Sequence, residues 1–132
     1  MLSNNMKKKL MIVDDDPFVL ITMRQLFEHE GFEVFTVSSG QECINELDRG
    51  FQGVILMDVM MPHMDGWTTI RQIIAKGYDK KNVISMLTAR EEYDADAEDL
   101  RKYIRDYLVK PFDLQPLVNT VNGYFSVQKQ KK

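Results

Sequence analysis

Leu10-Met11-Ile12-Val13-Asp14-Asp15-Asp16 is an apolar run that stops on three consecutive carboxylates, and Val54-Ile55-Leu56-Met57-Asp58 repeats the arrangement with one. Short apolar runs of this kind read as buried strands, and carboxylates gathered at the ends of two strands make a site. Left uncompensated, such groups would repel one another and rise above the roughly 3.9 of a free Asp. A cation must therefore join them. Val83-Ile84-Ser85-Met86-Leu87 runs into Thr88, and Tyr107-Leu108-Val109 runs into Lys110, so a hydroxyl and an ammonium end two further strands.

Between these runs lie segments of helical period, and the alternation calls for a parallel sheet with helices on both faces. Asp16 is placed to cap a first helix with Pro17 in its opening turn, and Leu20, Met23, Leu26 and Phe27 form its apolar stripe up to Gly31. Glu33 to Val37 reads as the second strand. Ser38 or Ser39 then caps a helix through Ile44 and Leu47 that stops at Gly50, and Gly66 to Lys76 carries Trp67, Ile70, Ile73 and Ile74 at helical spacing up to Gly77. Glu91 to about Tyr103 is expected as a mostly wet fourth helix offering Ala95, Leu100 and Tyr103 to the core. Asp113 caps a last helix with the stripe Leu114, Leu117, Val118 and Val121.

The chain has 132 residues, enough for one domain with a real core, expected over residues 7–127 with flexible ends at 1–6 and 128–132. Its 17 basic and 20 acidic residues leave a formal charge of -3, which gives no footprint for nucleic acid or an anionic membrane, and neither partner is expected. One cysteine, Cys43, cannot make an internal disulfide, and no apolar stretch approaches the roughly 18 residues of a membrane span. The N-terminal lysines precede too few apolar residues for a signal peptide, so a cytoplasmic protein is expected.

Ligands of open parallel sheets bind outside the carboxyl ends of the strands, where every candidate residue here sits. Aspartate oxygens suit a hard cation, and Mg2+ is the expected metal. A carboxylate is also a competent nucleophile for phosphoryl transfer if the charge on the phosphoryl oxygens is neutralised. Mg2+ can hold one oxygen, the Lys110 ammonium a second, and the Thr88 hydroxyl with a backbone N–H a third. The small Ala89 would leave the route open.

Val13-Asp14-Asp15-Asp16, Asp58-Val59-Met60-Met61-Pro62-His63-Met64-Asp65-Gly66, Leu87-Thr88-Ala89 and Tyr107-Leu108-Val109-Lys110-Pro111-Phe112 together resemble the receiver domain of two-component response regulators, over roughly Lys8 to Phe125. The resemblance implies a three-layer α/β/α, flavodoxin-like fold with strand order 2-1-3-4-5. It implies that Asp58 accepts a phosphoryl group from a phosphohistidine on a sensor histidine kinase. Asp15, Asp58 and the Met60 carbonyl would bind Mg2+, with Asp14 holding the metal through water. Thr88 would turn toward the phosphoryl oxygen and Tyr107 move inward behind it, remodelling the face of the fourth helix, fifth strand and fifth helix where a downstream protein binds. Lys110-Pro111 resembles the family's cis peptide. Such a protein is a phosphoacceptor signalling switch and no enzyme beyond its own phosphorylation and dephosphorylation, acting as a monomer or a phosphorylation-dependent dimer. With the chain ending soon after the fifth helix, a receiver without an attached effector is expected.

Plainer readings exist for each residue alone. An Asp run after a strand is ordinarily a solvated turn or cap, Thr88 a strand-end hydroxyl, Lys110 a surface lysine, Tyr107 half-buried packing, and Asp16 a mere N-cap. Their joint position at the strand ends decides for a site. His29 and His63 read as surface residues and Cys43 as a small core residue. Tyr103-Ile104-Arg105-Asp106 stands where the family more often has a Gly-Ala-like pair. Met60 and Arg90 flank the site without a water-orienting acid or amide, so slow self-dephosphorylation is expected. Two rivals remain at this point: an aspartate-nucleophile phosphatase using Asp14-x-Asp16, in which Phe18 stands where Thr or Val is wanted, and a relay intermediate that passes its group to a histidine phosphotransfer protein.

Overall fold

The computed structural model describes residues 7–88 and 95–130. The elements run β1 (Lys8–Val13), α1 (Pro17–His29), β2 (Phe32–Val37), α2 (Gly40–Asp48), β3 (Val54–Asp58), α3 (Gly66–Ala75), β4 (Val83–Thr88), β5 (Tyr107–Val109) and α4 (Leu114–Gln130), with 3₁₀ segments at Tyr78–Lys81 and Ala95–Tyr103. All strands pair in parallel in the order β2-β1-β3-β4-β5, as expected.

Side chains alternate across a strand, so a run buried on both faces must feed two cores. Leu10 and Ile12 of β1, with Val54 and Leu56 of β3, meet Met23 and Phe27 of α1 and Leu117, Val118 and Val121 of α4 on one side. Met11, Val13, Ile55 and Met57 meet Cys43, Ile44 and Leu47 of α2 and Ile70 and Ile73 of α3 on the other. Each fully buried residue of this kind contributes about 1.5–3 kcal/mol relative to exposure. Cys43 is one of them, and burial pushes its thiol up to about 12, which keeps it protonated and inert.

The helices start on side-chain caps. Asp16 accepts from the Phe18 N–H at 2.9 Å, Ser39 from Glu42 N–H at 3.1 Å, and Asp65 from Thr68 N–H at 2.8 Å. Glu42 reaches back to the Ser38 N–H at 2.8 Å, a reciprocal arrangement close to a capping box. The expected stops Gly31, Gly50 and Gly77 all take positive φ, which a side chain would strain. Lys110-Pro111 is cis.

Two expectations are corrected. The fourth helix is a 3₁₀ segment over its described part, because Ala97, Leu100 and Tyr103 recur at every third residue and three residues per turn align them on the core. Ala97 joins Leu100 and Tyr103 at the core, and the side chain of Ala95 lies outside what is described. Leu114 is exposed and the buried stripe of the last helix begins at Leu117, while that helix runs on to Gln130. Ala89, Arg90 and the expected helix start at Glu91 lie outside the described residues. Among the described residues no helix is long and apolar enough to cross a membrane.

The unusual Tyr103–Asp106 stretch has a structural use. Ser85 Oγ on β4 donates to the Tyr124 hydroxyl of α4 at 2.8 Å, and that hydroxyl donates to Asp106 Oδ2 at 2.7 Å. Burial and the Asp106 carboxylate hold the Tyr124 phenol well above its ordinary range, so it remains a donor. Removing it leaves Ser85, which is fully buried, without this partner. Tyr124→Phe is expected to lower stability by about 1–3 kcal/mol, read as a lower urea midpoint at unchanged m-value.

Candidate functional site at the carboxyl ends of the strands

The first carboxylate is locked by its own chain. Asp14 ends β1 buried, its Oδ1 accepting from the Asp16 N–H at 2.9 Å while its backbone N–H bonds Val37 at 3.2 Å. Asp58 ends β3, 5% exposed, and the next residue is anchored across the sheet by Val59 N–H to the Leu87 carbonyl at 3.1 Å. Asp15 is exposed above them. One oxygen from each of Asp14, Asp15 and Asp58 lies within 4.8 Å of the others.

Lys110 closes the group. Its backbone N–H bonds the Thr88 carbonyl at 2.7 Å, which sets it beside the end of β4, and its Nζ reaches Asp14 Oδ2 at 3.1 Å and Asp58 Oδ1 at 3.4 Å. The electrostatics follow from the burial. Burial, and then the neighbouring Asp14 charge, push the Asp58 carboxyl up to about 6 against the opposing pull of Lys110. For Lys110 burial favours the neutral amine, but Asp58 and Asp14 outweigh it and hold the ammonium above its ordinary value. Three carboxylates and one ammonium, each ionised, leave two net negative charges (3 − 1), which a divalent cation would neutralise. All-oxygen donors at this separation fit Mg2+ and offer nothing to a soft metal.

The expected site residues thus fall into place unequally. Asp14, Asp15, Asp58 and Lys110 converge. Thr88 ends β4 buried, one strand over from Asp58. Met60 follows Asp58 by two residues with its side chain 65% exposed, in a loop returned to the sheet by Gly66 N–H bonding the Val59 carbonyl at 2.9 Å. Tyr107 opens β5 and faces outward, its ring 6.2 Å from that of Trp67 and beneath the Arg101 guanidinium at 5.7 Å. Asp16 is turned away to cap α1, as the plainer reading had it, so the paired Asp14-x-Asp16 of a phosphatase is not formed. His29 and His63 are exposed.

Sequence reasoning missed two features. Phe18 and Ile21 lie off the buried stripe of α1 and are 74% and 57% exposed. They are apolar residues on the wrong side of the helical period, which was the available signal. Gly66 was read only as the start of a helix, although a Cβ there would meet the Asp58 carbonyl oxygen at 2.4 Å. No local signal reports that approach.

Comparison with known proteins agrees with this geometry. The family model described as "Response regulator receiver domain" matches residues 10–122. The regulatory protein AtoC of Escherichia coli is 30% identical over 94% of this chain, which corresponds to 26% of AtoC. The chain spans a quarter to about half the length of the curated relatives it matches first. The crystal structure of a CheY-like response regulator receiver domain protein from Methanospirillum hungatei is 39% identical, with a TM-score of 0.89 over 96% of this chain and 100% of that one. The response regulator TrrA of Thermotoga maritima, solved in complex with Mg2+ and BeF, is 27% identical with a TM-score of 0.75 over 88% of this chain and 97% of that one.

Proposed function

The chain belongs to the response regulator receiver family of phosphorylation-dependent two-component switches, and from that premise we propose that Asp58 is its phosphoryl acceptor. The observation that carries the assignment is the convergence of Asp14, Asp15 and Asp58 within 4.8 Å, with the Lys110 ammonium on two of them. A carboxylate oxygen of Asp58 attacks phosphorus of a phosphohistidine on a sensor kinase. The P–N bond breaks as the O–P bond forms, and the imidazole leaves with the electron pair. Asp15, Asp58 and the Met60 carbonyl would hold Mg2+ with Asp14 behind them, and the ion when bound offsets charge on the phosphoryl oxygens. Lys110 supplies a fixed positive charge to a second oxygen and Thr88 a hydroxyl to a third. The exposed apolar side chains of Phe18, Ile21, Met60 and Leu114 offer the phosphodonor a contact surface.

On this reading residues 7–127 form the receiver unit, working in the cytoplasm, and its chemistry is confined to its own phosphorylation and dephosphorylation. Thr88 and Tyr107 carry the change to the face made by the Ala95–Tyr103 segment, β5 and α4, where a downstream protein binds. The test is labelling by acetyl phosphate with Mg2+ and with excess EDTA, followed by mass mapping. One stoichiometric label on Asp58, lost with the metal, is expected. Sustained hydrolysis of a generic phosphomonoester, or a label on another residue, overturns the assignment.

A further inference from the structure

Tyr107 is contacted by two side chains from separate elements. The Arg101 guanidinium lies 5.7 Å from its ring centre and the Trp67 ring 6.2 Å away, tilted by 43°. The two groups come from different elements, the 3₁₀ segment Ala95–Tyr103 and α3, and these are tied together by a two-fold ion pair from Arg71 to Asp99 at 3.0 and 3.2 Å. Ala97 and Leu100, buried on the same segment, fix where Arg101 stands. Glu98 steadies the guanidinium from one turn back at 3.8 Å.

The other jaw is adjacent in sequence to a residue that lies against the acceptor's backbone. Trp67 follows Gly66, whose N–H bonds Val59 and whose Cα packs on the Asp58 carbonyl. A displacement at Asp58 is therefore passed through one residue of backbone to the ring that lies against Tyr107. We propose that Arg101 and Trp67 form a clamp that holds Tyr107 outward, so that occupation of Asp58 by a phosphoryl group must open it. This rests on the reading of Asp58 as acceptor and Tyr107 as switch, and it adds the contact that sets how easily the switch turns. Arg101 touches neither the acceptor nor the metal ligands and is a positioning residue.

The test is the beryllofluoride midpoint at saturating Mg2+, read by 19F NMR of the bound species. An exposed cation–π contact corresponds to roughly a two- to fivefold change in an equilibrium. Arg101→Ala is expected to lower the midpoint by that factor, Arg101→Lys to restore most of the wild-type value, and Arg101→Ala to have no effect when Tyr107 is already Leu. Mere loss of a positive charge near an anion site would act in the opposite direction and raise the midpoint. Binding by the wild type with an unchanged or higher midpoint in Arg101→Ala sinks the clamp alone, as does a lowered midpoint that persists without Tyr107. Absence of Mg2+-dependent beryllofluoride binding in the wild type removes the acceptor reading and the clamp together.

Discussion

Asp58→Asn eliminates Mg2+-dependent labelling by acetyl phosphate, and in metal-free buffer near neutral pH it raises stability by about 2 kcal/mol. The first result follows from chemistry, since an amide oxygen is too poor a nucleophile to form the acyl phosphate. The second follows from burial. Burial pushes the Asp58 carboxyl up to about 6 in the fold, against 3.8 for the free side chain, so the native state binds its proton more tightly than the unfolded chain. Stability from this group is therefore greatest at low pH and falls as pH rises from about 4 to about 6. Above that window the ionised carboxyl is a standing cost of about 3 kcal/mol before discounting. Asn removes most of it while Lys110 keeps Asp14 as a partner.

Urea unfolding of both proteins at about pH 7.5 and pH 4, with EDTA, measures the difference, which should shrink to a small remainder at the lower pH because Asp58 is then protonated in the fold and no longer carries the cost of a buried charge. Mg2+ reverses the order at neutral pH by stabilising the wild type through binding. A variant that is still labelled refutes the acceptor assignment. One that is no more stable without metal shows that Lys110 already neutralises the site.

Gly66→Ala costs about 2–3 kcal/mol, a large effect for one methyl group. Its Cβ would lie 2.4 Å from the Asp58 carbonyl oxygen, 3.0 Å from Val59 Cα and 3.2 Å from Asp58 C. All three are backbone atoms at the end of a central strand, so no flexible side chain can yield. The start of α3 must lift from the sheet, stretching the Gly66 to Val59 bond and moving the loop that carries Met60. Mg2+ affinity should fall with stability. Gly123→Ala is the control: nothing lies within 4 Å of its Cβ, and inside α4 the change should be neutral or gain about 0.5–1 kcal/mol. Equal urea midpoints for the two variants would show that α3 slides freely over β3.

Much of this molecule was readable because its signals are local. Apolar runs such as Leu10–Val13 and Val54–Met57 announce strands buried on both sides, and the residues ending them, Asp14, Asp58, Thr88 and Lys110, are by topology at one edge of a parallel sheet. Asp16, Ser39 and the glycines at 31, 50 and 77 act within a few residues of themselves, so their caps and stops could be named in advance. The segment before Tyr103 is harder: spacing of three suits a 3₁₀ turn or a loose α-helix equally, and packing of Ala97 and Leu100 decides.

By itself, then, the order of residues determined the strands of a parallel sheet and the identity of the charged groups at its edge, because period, caps and strand ends depend on neighbours along the chain, whereas the strand order followed from the family resemblance. Only folding decided that Lys110 lies 3.1 Å from Asp14, ninety-six positions earlier, that Gly66 touches Asp58, and that Asp16 serves a helix in place of the site. Those distances come from how elements remote in sequence pack against one another. The raised Asp58 carboxyl and the Arg101–Tyr107–Trp67 contact come from the same packing, and both arise from burial and proximity that no run of adjacent residues contains.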